Sequence, residues 1–142
     1  NNIGLCRALK FTKPKPFFEE HDQHIGLQVN TRLCRDILAS RLKNILGAPP
    51  VLLRGGPSVC GKIGIVTGGA GGSLAQASAE GVDTFITGEG PHWTGALAEE
   101  LGINVFYGGH YATETFGVKA LAAHLAGKFR LPWEFLDHPT GL

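Results

Sequence analysis

The sequence predicts an α/β fold, in which alternating strands and helices build a mixed sheet covered by helices. Three observations carry this. From residue 51 onward, short apolar runs alternate with segments of helical period. Several of those runs end in glycine-rich turns that lead directly into a helix. The chain has 142 residues, of which 43% are hydrophobic, enough for one domain with a real core.

Residues 1–9 place Ile3, Leu5, Cys6 and Leu9 in a mostly apolar pattern compatible with a helix or its end. Lys13-Pro14-Lys15-Pro16 breaks regular structure, because proline restricts both itself and the residue before it. The polar and aromatic stretch from Phe17 to His24 reads as a loop, and Ile25 to Val29 as a short strand. Thr31 is a candidate cap for a helix running to about Leu46, with Leu33, Ile37, Leu38, Leu42, Ile45 and Leu46 at helical spacing. Gly47 and Pro49-Pro50 end it, and Arg32, Arg35, Arg41 and Lys43 make its solvated face. Strands then follow at Val51–Leu53, Lys62–Thr67, Thr84–Thr87, Asn104–Tyr107 and Trp133–Leu136. Between them the spacing predicts helices over Leu74–Glu80, Thr94–Leu101 and Thr113 to about Ala126. The whole of 1–142 reads as a single α/β domain, with 1–30 as a connecting segment.

Composition removes several function classes. A net charge of +1 gives no electrostatic case for nucleic acid or an anionic membrane surface. No apolar stretch has the length to cross a bilayer, and no leader pattern opens the chain. Cys6, Cys34 and Cys60 are odd in number and widely spaced, which fits buried free thiols in a reducing, cytoplasmic compartment. Methionine is absent and the chain begins Asn1-Asn2, so a processed or internal piece is expected.

In open α/β sheets ligands sit beyond the carboxyl ends of strands, which directs attention to three loops. In the first, His110 and Glu114 lie four residues apart where Gly108-Gly109 opens a helix. Both side chains can reach one point, and an imidazole with a carboxylate suits Zn, Fe, Mn or Co. The competing reading is a histidine at a helix start and a glutamate favoured by the macrodipole. In the second, Glu89 and His92 follow a strand within Gly88-Glu89-Gly90-Pro91-His92. Glu89 can serve as general base for a metal-bound water and His92 as proton donor or substrate contact. Alternatively, Glu89 caps the next helix and His92 decorates its first turn. The third loop, Gly68-Gly69-Ala70-Gly71-Gly72-Ser73, can cradle a phosphate with its backbone N–H groups, or is a close-packed turn. It lacks the Gly-Lys-Ser/Thr ending of a P-loop. His21, His24, His124 and His138 read as surface residues, and Trp93 and Trp133 as core or interface anchors.

Taken together, TGGAGG, DTFITGEGPHW and GGHYATETFGVKAL, in this order and spacing, resemble the NGG-one-interacting-factor-three-like family, also called the GTP cyclohydrolase 1 type 2 family. The likeness runs from about Gly61 to the C-terminus, and Asn1 to Leu9 fits an earlier family segment. The resemblance implies that family's fold with its N-terminal part missing, and a dinuclear site of divalent metals, two per subunit. Its ligands would be a His-His pair, an aspartate, and a late histidine and glutamate that fall on His110 and Glu114. The adjacent-histidine motif is absent from this sequence, so the remaining ligands are expected upstream of residue 1. The resemblance further implies a toroidal homohexamer.

The first functional expectation is therefore a metal-dependent hydrolase-like enzyme acting on a small phosphorylated or heterocyclic substrate. Two metals roughly 3.5–4 Å apart would lower the pKa of a bridging water, with Glu89 and His92 as catalytic groups. A second expectation is a non-catalytic regulatory or interaction protein that keeps the metal for structure or sensing. A third, a metal-free nucleotide-binding module, rests on the glycine loop alone.

Overall fold

The computed structural model describes residues 1–139. Helix α1 (Asn2–Ala8) leads into a hairpin of β1 (Lys15–Glu20) and β2 (Gln23–Cys34), then α2 (Arg35–Leu46). There follow β3 (Val51–Arg54), β4 (Val59–Ile65), a 3-10 turn at Ala70–Ser73, α3 (Leu74–Ala79) and β5 (Thr84–Thr87). Helix α4 (Thr94–Leu101), β6 (Asn104–Tyr107) and the long α5 (His110–Phe129) complete the order. One six-stranded sheet runs β1-β2-β4-β5-β6-β3. β4, β5 and β6 are parallel neighbours, while β1, β2 and β3 pair antiparallel, so the sheet is mixed as expected.

Strand alternation divides the core into two layers. On one face Ile63, Ile65, Ile86 and Phe106 pack with Leu5, Cys6 and Leu9 of α1 and Leu38 and Leu42 of α2. On the other, Val66, Phe85 and Val105 pack with Phe17, Phe18, Leu74, Ala77 and Ala98. Adjacent residues such as Phe85 and Ile86 therefore serve opposite layers, and both are fully buried. The thiol of Cys6 is buried and pushed up to about 11 by desolvation, and burial also raises that of Cys60. Both are packing groups in this state.

Several expectations change. Phe17–His24 is no loop, because β1 and β2 pair with Glu20 opposite Gln23 and leave only His21 and Asp22 in the turn. Both have positive φ, 49° and 61°, which suits the twist of a two-residue hairpin. The strand expected at Ile25–Val29 extends to Cys34, and α2 begins at Arg35 rather than Thr31. Pairing with β4 explains this: Leu33 and Cys34 still lie opposite Cys60 and Val59, beyond a bulge after Asn30. Arg35 is not on a solvated face, since its guanidinium donates to Gly56 O and Asn104 Oδ1, both at 3.1 Å. α5 begins at His110, three residues before the expected Thr113. The strand expected at Trp133–Leu136 does not form, and residues 131–139 have no regular structure. Trp93 and Trp133 are 47% and 46% exposed and so are not core residues. Residues 1–30, read as a connecting segment, carry α1, β1 and the first part of β2.

No helix among the described residues is long and apolar enough to cross a membrane.

Candidate functional site

Because β4, β5 and β6 are parallel neighbours, the loops that follow them lie side by side at one edge of the sheet. Glycine backbone continues the sheet's hydrogen bonding into these loops. The N–H groups of Gly88 and Glu89 both donate to Gly68 O, at 2.8 and 3.1 Å, and Gly109 N–H donates to Gly88 O at 2.8 Å. Thr113 adds a cross-tie, accepting from Gly68 N–H at 3.1 Å. Side chains could not approach this closely: a Cβ on Gly88 would lie 2.6 Å from Gly68 O and 2.7 Å from His110 Cα.

This frame brings together three of the four residues singled out from sequence. His110 sits at the first position of α5, with Glu114 one turn along the same face. The ring is held between two carboxylates: Nδ1 lies 2.8 Å from Glu89 Oε1 and Nε2 lies 3.0 Å from Glu114 Oε2. Side-chain exposures of 43% for His110, 43% for Glu114 and 50% for Glu89 leave all three reachable by a ligand. Gly68 is the floor of the pair. Its φ is +81°, and a Cβ there would sit 3.2 Å from Glu114 Oε1 and 3.4 Å from His110 Nε2.

An imidazole with a carboxylate at each nitrogen carries both N–H bonds only as the imidazolium. The His110 pKa is accordingly raised above 6.5, first by the hydrogen bond to Glu89 and then by the charges of Glu114 and Glu89, against partial desolvation. A raised folded-state value means that the contribution to stability is complete below 6.5 and is lost as pH rises through the raised value. In metal-free protein, proton NMR titration of His110 should give a midpoint above 6.5, falling towards it in Glu89→Gln. An unchanged midpoint in that variant would show that Glu89 does not hold the ring.

His92 is not brought to this point. It lines a separate groove of about 410 Å³ with Glu89, Pro91, Thr94, Tyr107 and Val51, on the other side of the Glu89 loop. The glycine loop is the close-packed turn rather than an open cradle. Its Gly68, Ala70 and Gly71 N–H groups donate to Thr113 Oγ1, Thr87 Oγ1 and Glu89 O. A Cβ on Gly71 would meet Glu89 O at 2.5 Å.

The His110–Glu114 pair opens into a cavity of about 540 Å³, lined also by Glu89, Tyr111, Val118, Phe135, Leu136 and His138. Its far wall is the irregular segment 131–139, held to α5 at both ends of a short span. Tyr111 Oη donates to Asp137 Oδ1 at 3.0 Å and accepts from the His138 amide at 2.8 Å, while Lys119 Nζ lies 4.1 Å from the Phe135 ring centroid.

The family model described as Duf34/NIF3 (NGG1p interacting factor 3) matches residues 1–140. The chain belongs to the Duf34/NIF3 family. Curated relatives named GTP cyclohydrolase 1 type 2 homolog include one from Deinococcus radiodurans, 38% identical over 100% of this chain and 55% of its own. Another, from Pyrococcus horikoshii, is 37% identical over 100% of this chain and 58% of its own. Among solved structures, TTHA1606 from Thermus thermophilus superposes with a TM-score of 0.85 at 40% identity, covering 97% of this chain and 54% of that one. The chain spans little more than half the length of the curated relatives it matches.

The Duf34/NIF3 resemblance implies a metal, and the donors fit one in kind. An imidazole nitrogen and a carboxylate oxygen converge, half exposed, over a glycine that keeps the approach clear. They fall short in number: no group of three or more His, Cys, Asp or Glu able to hold an ion occurs among the described residues. Two protein ligands alone do not complete a divalent site.

The contribution of Gly68, Thr113 and the 135–138 wall was not readable from spacing. Thr113 looks like an ordinary helix residue, and the wall comes from a segment whose apolar alternation suggests a strand. The one available signal was that Gly68 begins a glycine run at a strand end.

Proposed function

We propose that this Duf34/NIF3 chain supplies His110 and Glu114 as two ligands of a dinuclear divalent-metal site in an enzyme that hydrolyses a small phosphorylated or heterocyclic molecule. One observation carries the reading: His110 Nε2 and Glu114 Oε2 converge at the mouth of a 540 Å³ cavity, with Glu89 bonded to the far side of the ring. A metal pair of this class supplies hydroxide at neutral pH when bound. Within the chain, Glu89 fixes the ring through Nδ1 and so presents Nε2 to the cavity, the usual division of labour behind a ligating histidine. It also stands close enough to receive a proton from a group held at that mouth. The apolar wall of Val118, Phe135 and Leu136 suits a flat ring, and the relatives' name, GTP cyclohydrolase 1 type 2 homolog, supports a phosphorylated heterocycle.

The reading requires further ligands, which the resemblance assigns to a His-His pair and an aspartate. Homohexameric assembly and a cytoplasmic location belong to the same proposal.

The test is calorimetric titration of Zn²⁺ or Co²⁺ into protein that includes the further ligands, and into its His110→Ala and Glu114→Ala variants. Each substitution should weaken binding by at least roughly tenfold, and Glu89→Gln by roughly tenfold through loss of ring orientation. Wild-type stoichiometry and affinity in both alanine variants would remove the ligand assignment.

A further inference from the structure

The first two residues of the sequence make side-chain bonds that reach the site from its rear. Asn2 Oδ1 accepts from the Thr67 amide at 2.8 Å, and Asn2 Nδ2 donates to Ile25 O at 2.6 Å. Asn2 therefore joins β2 to the turn that follows β4, immediately before Gly68. Gly68 is the residue against which Glu114 Oε1 and His110 Nε2 both rest. Asn1 reaches the other component. Its Oδ1 accepts from the Gly117 amide at 2.7 Å, three residues beyond Glu114 on α5, and its Nδ2 lies 3.5 Å from Glu114 Oε1.

The two helices that carry these groups touch closely. A Cβ on Gly4 would lie 2.6 Å from Phe116 Cβ, and one on Gly117 would lie 2.8 Å from Asn1 Oδ1. Glycine at both positions lets α1 lie directly on α5, which puts Asn1 within reach of a helix amide. Asparagine suits such a strut because one side chain offers both an acceptor and donors.

We propose that Asn1 and Asn2 are positioning residues for the His110–Glu114 pair. Asn2 fixes the Thr67–Gly68 floor, Asn1 fixes the second turn of α5 and faces Glu114, and together they set the separation between floor and pair. This rests on the reading of His110 and Glu114 as metal ligands, and the test separates the two.

Asn1→Ala, Asn2→Ala and Asn2→Asp are prepared in the full chain. Asn2→Asp keeps an oxygen for the Thr67 amide. In metal-free protein, amide exchange at Thr67 and Gly117 and the ring ¹⁵N shifts of His110 are recorded, and Co²⁺ affinity is measured by calorimetry. The expected result is faster exchange at Thr67 in Asn2→Ala and at Gly117 in Asn1→Ala, displaced His110 ring shifts in both, and Co²⁺ binding weakened roughly tenfold. Asn2→Asp keeps the acceptor but sets a carboxylate oxygen against Ile25 O, so it should restore Thr67 protection and the ring shifts only in part. A merely structural role would lower the melting temperature and leave the ring shifts of the folded protein unmoved. Folded alanine variants with wild-type ring shifts and Co²⁺ affinity overturn the proposal. Asn1 is exposed, so Asn1→Ala keeps the test decisive should Asn2→Ala not fold. If wild-type protein that includes the further ligands takes up no Co²⁺, the ligand reading fails on its own, and the exchange and ring-shift arms still decide the asparagines.

Discussion

Phe85→Ala should lower the free energy of unfolding by about 3–5 kcal/mol, measured by urea denaturation. Phe85 is fully buried in the middle of the central strand β5, and the site around it has little freedom to collapse. Its ring stacks on Phe18 at 5.9 Å between centroids and meets Phe17 edge-on at 6.3 Å. Phe17 is itself locked over Gly64, where an added Cβ would lie 2.4 Å from Phe17 Cε1. Neighbours held this firmly leave a cavity when the ring is removed, and the cost rises with the volume left empty. Because β5 also carries the Glu89 loop, the variant should lose the His110–Glu89 contact earlier in the denaturant titration than global unfolding alone requires. A loss below about 1 kcal/mol would mean that the Phe17–Phe18–Phe85 cluster repacks freely, contrary to the geometry described.

The same strands show how far the sequence could be read. Thr84–Thr87, Thr94–Leu101 and Asn104–Tyr107 are found where the sequence pattern placed them, because each is a short run with clear glycine punctuation. The β1–β2 hairpin was hidden for a specific reason. Its turn is His21-Asp22, not an Asn-Gly type, so the positive φ values had no signature in composition. The start of α2 was misplaced because Thr31 resembles a cap, while the strand continued on pairing that lies 27 residues away between Leu33 and Cys60. α5 began early because nothing in Gly108-Gly109-His110 marks a cap, and its N-cap Gly109 has no side chain to signal one.

The site divides in the same way. His110 and Glu114 are one helical turn apart, a relation that spacing alone expresses. Glu89 against His110 Nδ1 spans 21 residues and exists only because β5 and β6 are parallel neighbours. His92, three residues from Glu89, was grouped with it by proximity in sequence, yet the turn at Pro91 sends it to the other groove. The asparagine ties span 65 and 116 residues and are side chain to backbone, a class of contact that leaves no pattern in sequence.

Gly88→Ala should be the single substitution that damages fold and site together. Gly88 is buried, and its Cβ would fall 2.6 Å from Gly68 O, 2.7 Å from His110 Cα and 2.9 Å from Thr113 Oγ1. The first two are backbone atoms, so no flexible side chain can swing away. The loops after β4, β5 and β6 would have to separate, weakening the Gly88–Gly68 and Gly109–Gly88 hydrogen bonds that lock them. Overpacking of this kind costs about 1–3 kcal/mol, and lost buried backbone bonds add to it. Since His110 follows Gly109 directly, its ring should leave Glu89, and its NMR titration midpoint should fall towards 6.5. Gly95→Ala is the contrast. That glycine lies in α4 with nothing within 4 Å of its Cβ position, so alanine should be neutral or stabilise by up to about 1 kcal/mol through helix propensity. Equal stability and an unmoved His110 midpoint in both variants would mean that the three loops tolerate a methyl at their junction, and that the close glycine contacts do not hold the site together.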